Sequence, residues 1–261
     1  MTTTLIDDPA HLRTTPAVRL HQVGKRFSAH GTAAVDRVDL TIAPGEFVCL
    51  VGASGCGKTT LLHLVAGIET PTSGTVEVAG AGTGAGAGAA VMFQDAALFP
   101  WLSARGNVEL ALRLGGVARS ERRARAEDLL RLVHLGERSE SAVHELSGGM
   151  RQRVALARAL AQDRAVLLMD EPFAALDAIT RDLLHDELER VWRATGRTVV
   201  LITHDVREAV RLGQRVLLMA GRPGRVVHEW QVEDRREPVA AAALAATITD
   251  RLREEMHRDA R

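Results

Sequence analysis

The chain has 261 residues, of which 46% are hydrophobic and 25% are charged. This composition excludes a disordered or fibrous protein and is typical of a globular chain that buries its own core. Lysine plus arginine and aspartate plus glutamate both number 33, so no strongly basic surface favours nucleic acid as a partner. We expect one α/β domain, with room for an insertion, and no nucleic-acid partner.

The sequence gives no sign of export or of a membrane span. The N-terminus lacks a basic region followed by an apolar one, and no apolar run approaches the roughly 18 to 20 residues of a membrane helix. Cys49 and Cys56 are too few and too close for a disulfide framework. We predict a cytosolic chain; if it works at a membrane, something else must anchor it there.

Predicted elements begin after a polar, flexible tail at residues 1–16. Alternating apolar positions from 18 to 42 predict two or three antiparallel strands. A short buried strand, "EFVCLVG", then leads through a glycine-rich loop into the helix "KTTLLHLVAG". "GTVEVAG" and "AVMFQ" are predicted strands. Between them, the glycine/alanine stretch 79–90 predicts a flexible surface loop, with a mobile flap over a ligand as the alternative.

The rest of the chain divides into three stretches. Residues 96–163 are rich in helix signals and nearly free of strand signals, which predicts a helical insertion. From 164 to 232, buried apolar strands alternate with amphipathic helices, and a terminal amphipathic helix is predicted over 233–261. This alternation favours a parallel sheet covered on both faces.

One motif indicates phosphate binding. "GASGCGKTT", residues 52–60, fits G-x-x-x-x-G-K-[ST] between a predicted strand and a predicted helix. Main-chain N–H groups around its glycines would wrap the phosphates, Lys58 would reach the β and γ phosphates, and Thr59 would ligate Mg²⁺. The residues expected to bind nucleotide in this loop are Gly52, Ser54, Gly55, Cys56, Gly57, Lys58, Thr59 and Thr60. Cys56 is either a modifiable thiol or a tolerated variable position.

A second motif supplies acidic groups. In "AVLLMDEP", Asp170 emerges at the end of a buried strand, where ligands of open α/β sheets bind, and would hold Mg²⁺ through water. The adjacent Glu171 is a candidate base for the attacking water. Alone, the two motifs predict only a P-loop nucleotidase.

Four further motifs narrow this class: Gln94 after a strand, "LSGGM", "DEPFAALD" and "ITHD". With them the chain resembles the ATP-binding subunit of ABC transporters over nearly its full length. The resemblance implies a P-loop (RecA-like) ATPase core at 17–95 and 164–232, an antiparallel β subdomain, and an inserted α-helical subdomain at 96–163. It also implies ATP and Mg²⁺ as ligands.

The resemblance assigns roles residue by residue. Phe27 would stack on the adenine, although it could equally be a core residue. Gln94 matches the glutamine that touches Mg²⁺ and signals to a membrane partner, and His204 the histidine that bonds the γ-phosphate. Asp177 resembles an aspartate that lies between two subunits. With Glu171, Gln94 and His204 form the expected catalytic set.

The same resemblance implies a homodimer. Ser147, Gly148 and Gly149 match the signature that contacts ATP held by the opposite subunit. Met150 stands where glutamine is commonest, which we expect to tune rather than abolish function. We therefore expect two chains around two ATP molecules.

Within the superfamily, "FQDAALFPWL", "MDEPFAALDAITR" and "RPGRV" resemble importers of nitrate, taurine and aliphatic sulfonates. This implies a peripheral ATPase on the cytoplasmic face of the membrane, with permease subunits and, indirectly, a solute-binding protein as partners. Phe99 and Trp101 would line the groove for a permease helix, or else belong to the core. A soluble ABC ATPase, such as an iron–sulfur assembly component, is the alternative.

Overall fold

The structure is a computed structural model and describes residues 15–28, 31–80, 88–235 and 237–259. In this part of the chain, nine strands form two β-sheets. The strands in chain order are β1 (Val18–Lys25), β2 (Val35–Ile42), β3 (Phe47–Val51), β4 (Ser73–Val78), β5 (Ala89–Met92), β6 (Val166–Asp170), β7 (Thr198–Ile202), β8 (Arg215–Ala220) and β9 (Arg225–Gln231). The helices are α1 (Lys58–Val65), α2 (Ala104–Leu114), α3 (Arg119–Leu132), α4 (Gly148–Leu160), α5 (Ala178–Thr195), α6 (Val206–Leu212) and α7 (Pro238–Asp259). Short 3-10 helices span Gly136–Arg138 and Val143–Glu145.

The larger sheet has the order β5-β6-β7-β3-β8-β9, and its first five strands are parallel. Every residue of β3, β6 and β7 is buried, as expected of parallel strands whose two faces are both covered. Since parallel strands end at the same edge, the segments after β5, β6, β7 and β3 emerge side by side. This edge positions the candidate site.

The core lies on both faces of this sheet. Along β3, Phe47, Cys49 and Val51 belong to one apolar cluster, whereas Val48 and Leu50 belong to the other, because successive strand side chains point to opposite faces. The first cluster includes residues of helices α2 to α7, and the second includes α1 and the smaller sheet. Helices α2 to α7 therefore cover one face, and α1 and the smaller sheet cover the other.

The smaller sheet is antiparallel, with the order β2-β1-β4. Residues 18–42 form two of its strands, at the lower end of the two or three predicted. The third strand is β4, in which Val76 pairs with Leu20 of β1. Buried and exposed residues alternate along β2, which is typical of a sheet with one covered face.

The glycine/alanine stretch is only in part as predicted. Its residues 81–87 lie outside the described residues, as do 1–14 of the predicted N-terminal tail. Assigning the whole stretch 79–90 to a surface loop is wrong at its end, because Ala89 and Ala90 are buried residues of β5 that pair with Val166 and Leu167. Ala90 also begins the predicted strand "AVMFQ", so the strand starts one residue earlier than predicted. Alanine is small enough to be buried wherever a neighbouring strand lies close, so composition alone did not reveal this.

The chain between β5 and β6 contains α2, α3 and α4. Ser103 caps α2 by accepting from Gly106 N, and Ser147 caps α4 by accepting from Met150 N. Serine favours this position because its hydroxyl satisfies an N–H group that the first turn leaves unpaired.

Two further elements complete the described chain. The edge strand β9, antiparallel to β8, was not predicted, although its alternating half-buried and exposed residues carry the period-2 signal of a strand. Helix α7 packs through Ala245 and Ile248 on the first cluster. None of the helices in the described part of the chain combines the length and apolar character needed to cross a bilayer.

Candidate active site

The phosphate-loop motif connects β3 to α1. Gly57, which precedes the helix, has φ of 96°, a left-handed conformation that glycine adopts without a Cβ penalty, and no side chain caps α1. At Gly52 an added Cβ would overlap the main-chain oxygen of Met219 in β8. Glycine therefore serves both as a turn and as a close-packing residue here, and the first-turn N–H groups of α1 have no side-chain cap.

Lys58 is buried at the start of α1. Its Nζ donates to the carbonyl oxygens of Gly52 and Ala53 at 2.8 and 2.9 Å, so the loop itself holds the ammonium group. Ser54 and Gly55 are exposed at the tip, whereas the Cys56 side chain is only 2% exposed. This burial argues against reading Cys56 as a readily modified thiol.

Thr59 connects the loop to the second acidic motif. Its Oγ1 donates to Asp170 Oδ2 at 2.8 Å, at the end of β6. Burial raises the pKa of Asp170, and Glu171 raises it further, while the hydrogen bond from Thr59 opposes the shift. The pair presents hydroxyl and carboxylate oxygens, the ligand chemistry that Mg²⁺ prefers.

Glu171, Gln94 and His204 converge beside this pair. Glu171 Oε2 lies 3.3 Å from His204 Nδ1 and 3.5 Å from Gln94 Nε2. The Glu171 backbone has φ of 46°, a strained conformation for a residue other than glycine, and its N–H donates to Ile202 O at the end of β7. Such strain persists only where the surroundings fix it, and it is common at functional sites.

The signature residues lie on another element, the N-terminus of α4. Ser147 and Gly148 are exposed, and an added Cβ at Gly148 would meet nothing within 4 Å. Gly149 is packed more closely, because a Cβ there would lie 3.0 Å from Leu176 Cδ2. The N-terminus of this helix is thus open to solvent on one side and contacts the segment before α5 on the other.

Asp177 and Phe27 lie outside the cluster around Glu171. Asp177 caps α5, and the hydrogen bond from Thr180 N lowers the pKa of its carboxyl group. Phe27 is 63% exposed, with Lys25 Nζ 5.1 Å from the centroid of its ring, so the alternative of a core position is excluded.

A partly apolar groove of about 430 Å³ lies between β5, α2 and α4, and Phe93, Phe99 and Leu114 are among its lining residues. Phe99 is half-buried, and its ring lies 5.4 Å from that of Trp101, which is 76% exposed. The alternative of ordinary core is therefore excluded for Trp101.

Sequence reasoning missed three polar residues that hold the segment after β5: Asn107, Gln152 and Arg158. Asn107 and Gln152 are buried polar residues inside amphipathic helices, a weak signal of a structural hydrogen bond. Nothing in the sequence indicates their partners.

Together, the phosphate loop, the acidic strand end and the separate signature helix define the class of P-loop nucleotidases. A sequence profile of the ABC transporter family matches residues 35–174, more than half of the chain. The chain belongs to the ABC transporter family. This confirms the resemblance found in the sequence.

Individual relatives agree. The taurine import ATP-binding protein TauB of Burkholderia thailandensis is 48% identical over 240 residues, which cover 91% of this chain and 92% of the relative. The nitrate import ATP-binding protein NrtD of Synechocystis is 49% identical over 223 residues, which cover 85% and 82%.

Solved structures also match. The dimeric structure of MJ0796, a bacterial ABC transporter cassette, has a TM-score of 0.75 at 33% identity and covers 83% of this chain and 99% of that one. A dimeric post-hydrolysis state of the same cassette, bound to ADP and Pi, has a TM-score of 0.74 at 32% identity, with the same coverage. The predicted fold class, an α/β P-loop ATPase with an antiparallel β subdomain and an inserted helical subdomain, is confirmed.

The raised pKa of Asp170 predicts a pH-dependent stability. Because the folded chain holds this proton more tightly than the unfolded chain, the contribution of Asp170 to stability falls as the pH rises from about the ordinary value of 3.8 through the raised pKa. Asp170→Asn cannot ionise but still accepts from Thr59. Without nucleotide or Mg²⁺, its free energy of unfolding should therefore gain on that of the parent as the pH rises, measured by urea denaturation between pH 4 and pH 7.

Asp36→Asn is the control of opposite sign. Arg225 and Arg37 lower the pKa of Asp36, so its ionised form stabilises the fold above the ordinary pKa of 3.8. This variant should be less stable than the parent throughout pH 4 to 7, and its deficit should shrink only as the pH falls below about 3.8. If the free energy of unfolding of Asp170→Asn fell relative to that of the parent as the pH rose, the assigned direction would be wrong.

Proposed function

We propose that this chain is the ATP-binding and ATP-hydrolysing subunit of an importer that takes up a small anion through a separate permease. The observation that carries the proposal is the cluster in which Glu171 Oε2 faces His204 and Gln94 beside the Thr59–Asp170 pair. The import function is supported by relatives named as taurine and nitrate import subunits. Their names give no support to the alternative of a soluble iron–sulfur assembly component.

The chemistry proposed for the site is hydrolysis of the terminal phosphate. Main-chain N–H groups of the loop and Lys58 bind the triphosphate, and Phe27 stacks on the adenine. Glu171 accepts a proton as water attacks the γ-phosphorus and the bond to the bridging oxygen of the β-phosphate breaks. His204 donates to the γ-phosphate and keeps it beside Glu171.

The donor set of the site fits Mg²⁺. Thr59 Oγ1 and the Asp170 carboxylate, joined by a 2.8 Å hydrogen bond, are hard oxygen ligands at a buried carboxylate, and Gln94 offers an amide oxygen. Bound there, the ion would neutralise charge that develops on the phosphates. The proposed ligands are Thr59 and Gln94, with Asp170 acting through water.

The second proposed partner is another copy of this chain. The dimeric cassette structures support this, and Ser147, Gly148 and Gly149 stand at an exposed helix N-terminus, which favours an anion. Each ATP would lie between the phosphate loop of one chain and the signature of the other, with Asp177 of each chain at the interface.

The proposed permease contact is the groove lined by Phe99 and Leu114. Its apolar character and the exposed Trp101 beside it suit an amphipathic helix laid into the groove. We place the chain peripherally, on the cytoplasmic face of the membrane. A solute-binding protein would act indirectly, and aliphatic sulfonate, taurine and nitrate are the candidate solutes.

Glu171→Gln tests the base. The amide cannot accept the proton, so kcat for ATP hydrolysis should fall by at least about 100-fold, while ATP binds as in the parent. Phosphate release and a direct ATP titration measure the two quantities. Undiminished hydrolysis would remove Glu171 from this role.

Ser147→Asp tests the dimer in the Glu171→Gln background. Aspartate caps a helix as well as serine does, so α4 should stay folded, but its charge would repel the triphosphate of the partner chain. ATP should no longer convert monomer into dimer in size-exclusion chromatography. Ser103→Asp, the same change at the cap of α2, is the matched control. An ATP-dependent dimer in both variants would contradict the shared site.

Leu114→Asp tests the permease contact. Leu114 is 79% exposed and lines the groove, so a charge there should prevent co-purification with the permease and stop solute uptake, yet leave ATP hydrolysis by the isolated chain unchanged. Val239→Asp alters an equally exposed residue of α7, at 74%, and should retain all three properties. Stable assembly of the chain with soluble partners alone would overturn the import function.

A further inference from the structure

Helix α4 holds the segment that follows β5 through two of its side chains. Gln152 Nε2 donates to the main-chain oxygen of Gln94 at 2.6 Å. Arg158 Nη2 and Nη1 donate to the oxygens of Ala96 and Ala97, each at 2.8 Å. One helix therefore hydrogen-bonds to the main chain of three of the four residues 94–97.

Residues 94–97 lie between the candidate base, Glu171, and the groove. At its start, Gln94 Nε2 lies 3.5 Å from Glu171 Oε2. Beyond its end, the guanidinium carbon of Arg158 lies 5.8 Å from the centroid of the Phe99 ring, which lines the groove. Phe99 is held in turn by Asn107, a fully buried residue of α2 that accepts from Phe99 N and donates to Phe99 O.

The side-chain amide of Gln152 is buried, but within the described part of the chain only its N–H group is hydrogen-bonded. The side chain is 7% exposed, and its Oε1 finds no hydrogen-bond donor among the residues that the structure describes. A buried amide with an unpaired acceptor is unfavourable, so packing alone would favour an apolar residue here. The remaining polar function of Gln152 is to fix Gln94 to α4.

We propose that Gln152 and Arg158 form a clamp that makes residues 94–97 move together with α4. The N-terminus of α4 carries the signature, so the clamp would join the signature, residues 94–97 and the groove beside them into one rigid unit. A movement of this unit would change the distance between Gln94 and Glu171, which follows β6. This inference rests on the proposed function, in which Glu171 is the base. Gln152 and Arg158 are positioning residues, since neither reaches Glu171.

The variants Gln152→Leu and Arg158→Lys test the clamp. Leucine keeps the approximate size of glutamine and removes both the bond to Gln94 and the unpaired acceptor, so the fold should stay intact. Lysine keeps the charge of Arg158 but lacks the planar fork that reaches two carbonyl oxygens at once. The matched control is Arg122→Lys on α3, where a half-buried arginine donates to Val117 O, away from the segment.

Hydrogen–deuterium exchange on the full purified chain is the first measurement. Both clamp variants should speed exchange of the amides at 94–97 by about tenfold and leave α3 as in the parent, because their effect is local. Arg122→Lys should leave 94–97 unchanged. Parent-like exchange at 94–97 in both clamp variants would overturn the clamp, whatever the chain's activity.

Steady-state ATP hydrolysis is the second measurement. The variants should lower kcat about tenfold and leave KM within about twofold, since Gln94 is misplaced relative to Glu171 while the phosphate loop is intact. If the parent hydrolyses ATP and the clamp variants show faster exchange but the same kcat as the parent, the coupling to catalysis would be overturned. A parent that binds no ATP in direct titration would instead overturn the proposed function, so the two failures are distinguishable.

Discussion

The hydrogen bond from Thr59 to Asp170 joins the first turn of α1, which follows β3, to the last residue of β6, 111 residues further along the sequence. The two strands, β3 and β6, are not neighbours, because β7 lies between them. The bond therefore forms only if all three strands are parallel and in register, so that their last residues reach the same edge. The cluster around Glu171 depends on this alignment, because its side chains lie at or just after the ends of β3, β5, β6 and β7.

The same edge of the sheet contains two energetically unfavourable features, a buried carboxyl group and a strained backbone, which a loop without a rigid scaffold would not maintain. Burial raises the pKa of Asp170, because the folded protein destabilises the ionised carboxylate. Glu171 adopts a left-handed backbone, at a cost of about 1–3 kcal/mol. The core on both faces of the sheet offsets these costs, and the bond from Glu171 N to Ile202 O fixes the carboxylate beside His204. A rigid sheet is thus a physical requirement of this site.

The helical segment between β5 and β6 gives the molecule a second anion-favouring surface. Ser147 and the exposed Gly148 begin α4, and an exposed helix N-terminus suits a contact with a partner chain's nucleotide. Further along, the same helix bonds to the backbone that carries Gln94. The part of the chain proposed to sense a partner and the part proposed to perform chemistry are thus joined by a few hydrogen bonds.

By itself the sequence determined the class of fold, the strand–loop–helix at residues 52–60, the acidic strand end and the family, because these signals are local: each depends on residues a few positions apart. It also predicted which residues would follow the strands. The tertiary structure alone decided that Ala89 is buried in β5, that Phe27 is exposed, and that Gln152 and Arg158 bond to the backbone of residues 94–97. Burial and hydrogen-bond partners are set by which distant segments pack together, and no pattern along the chain records that.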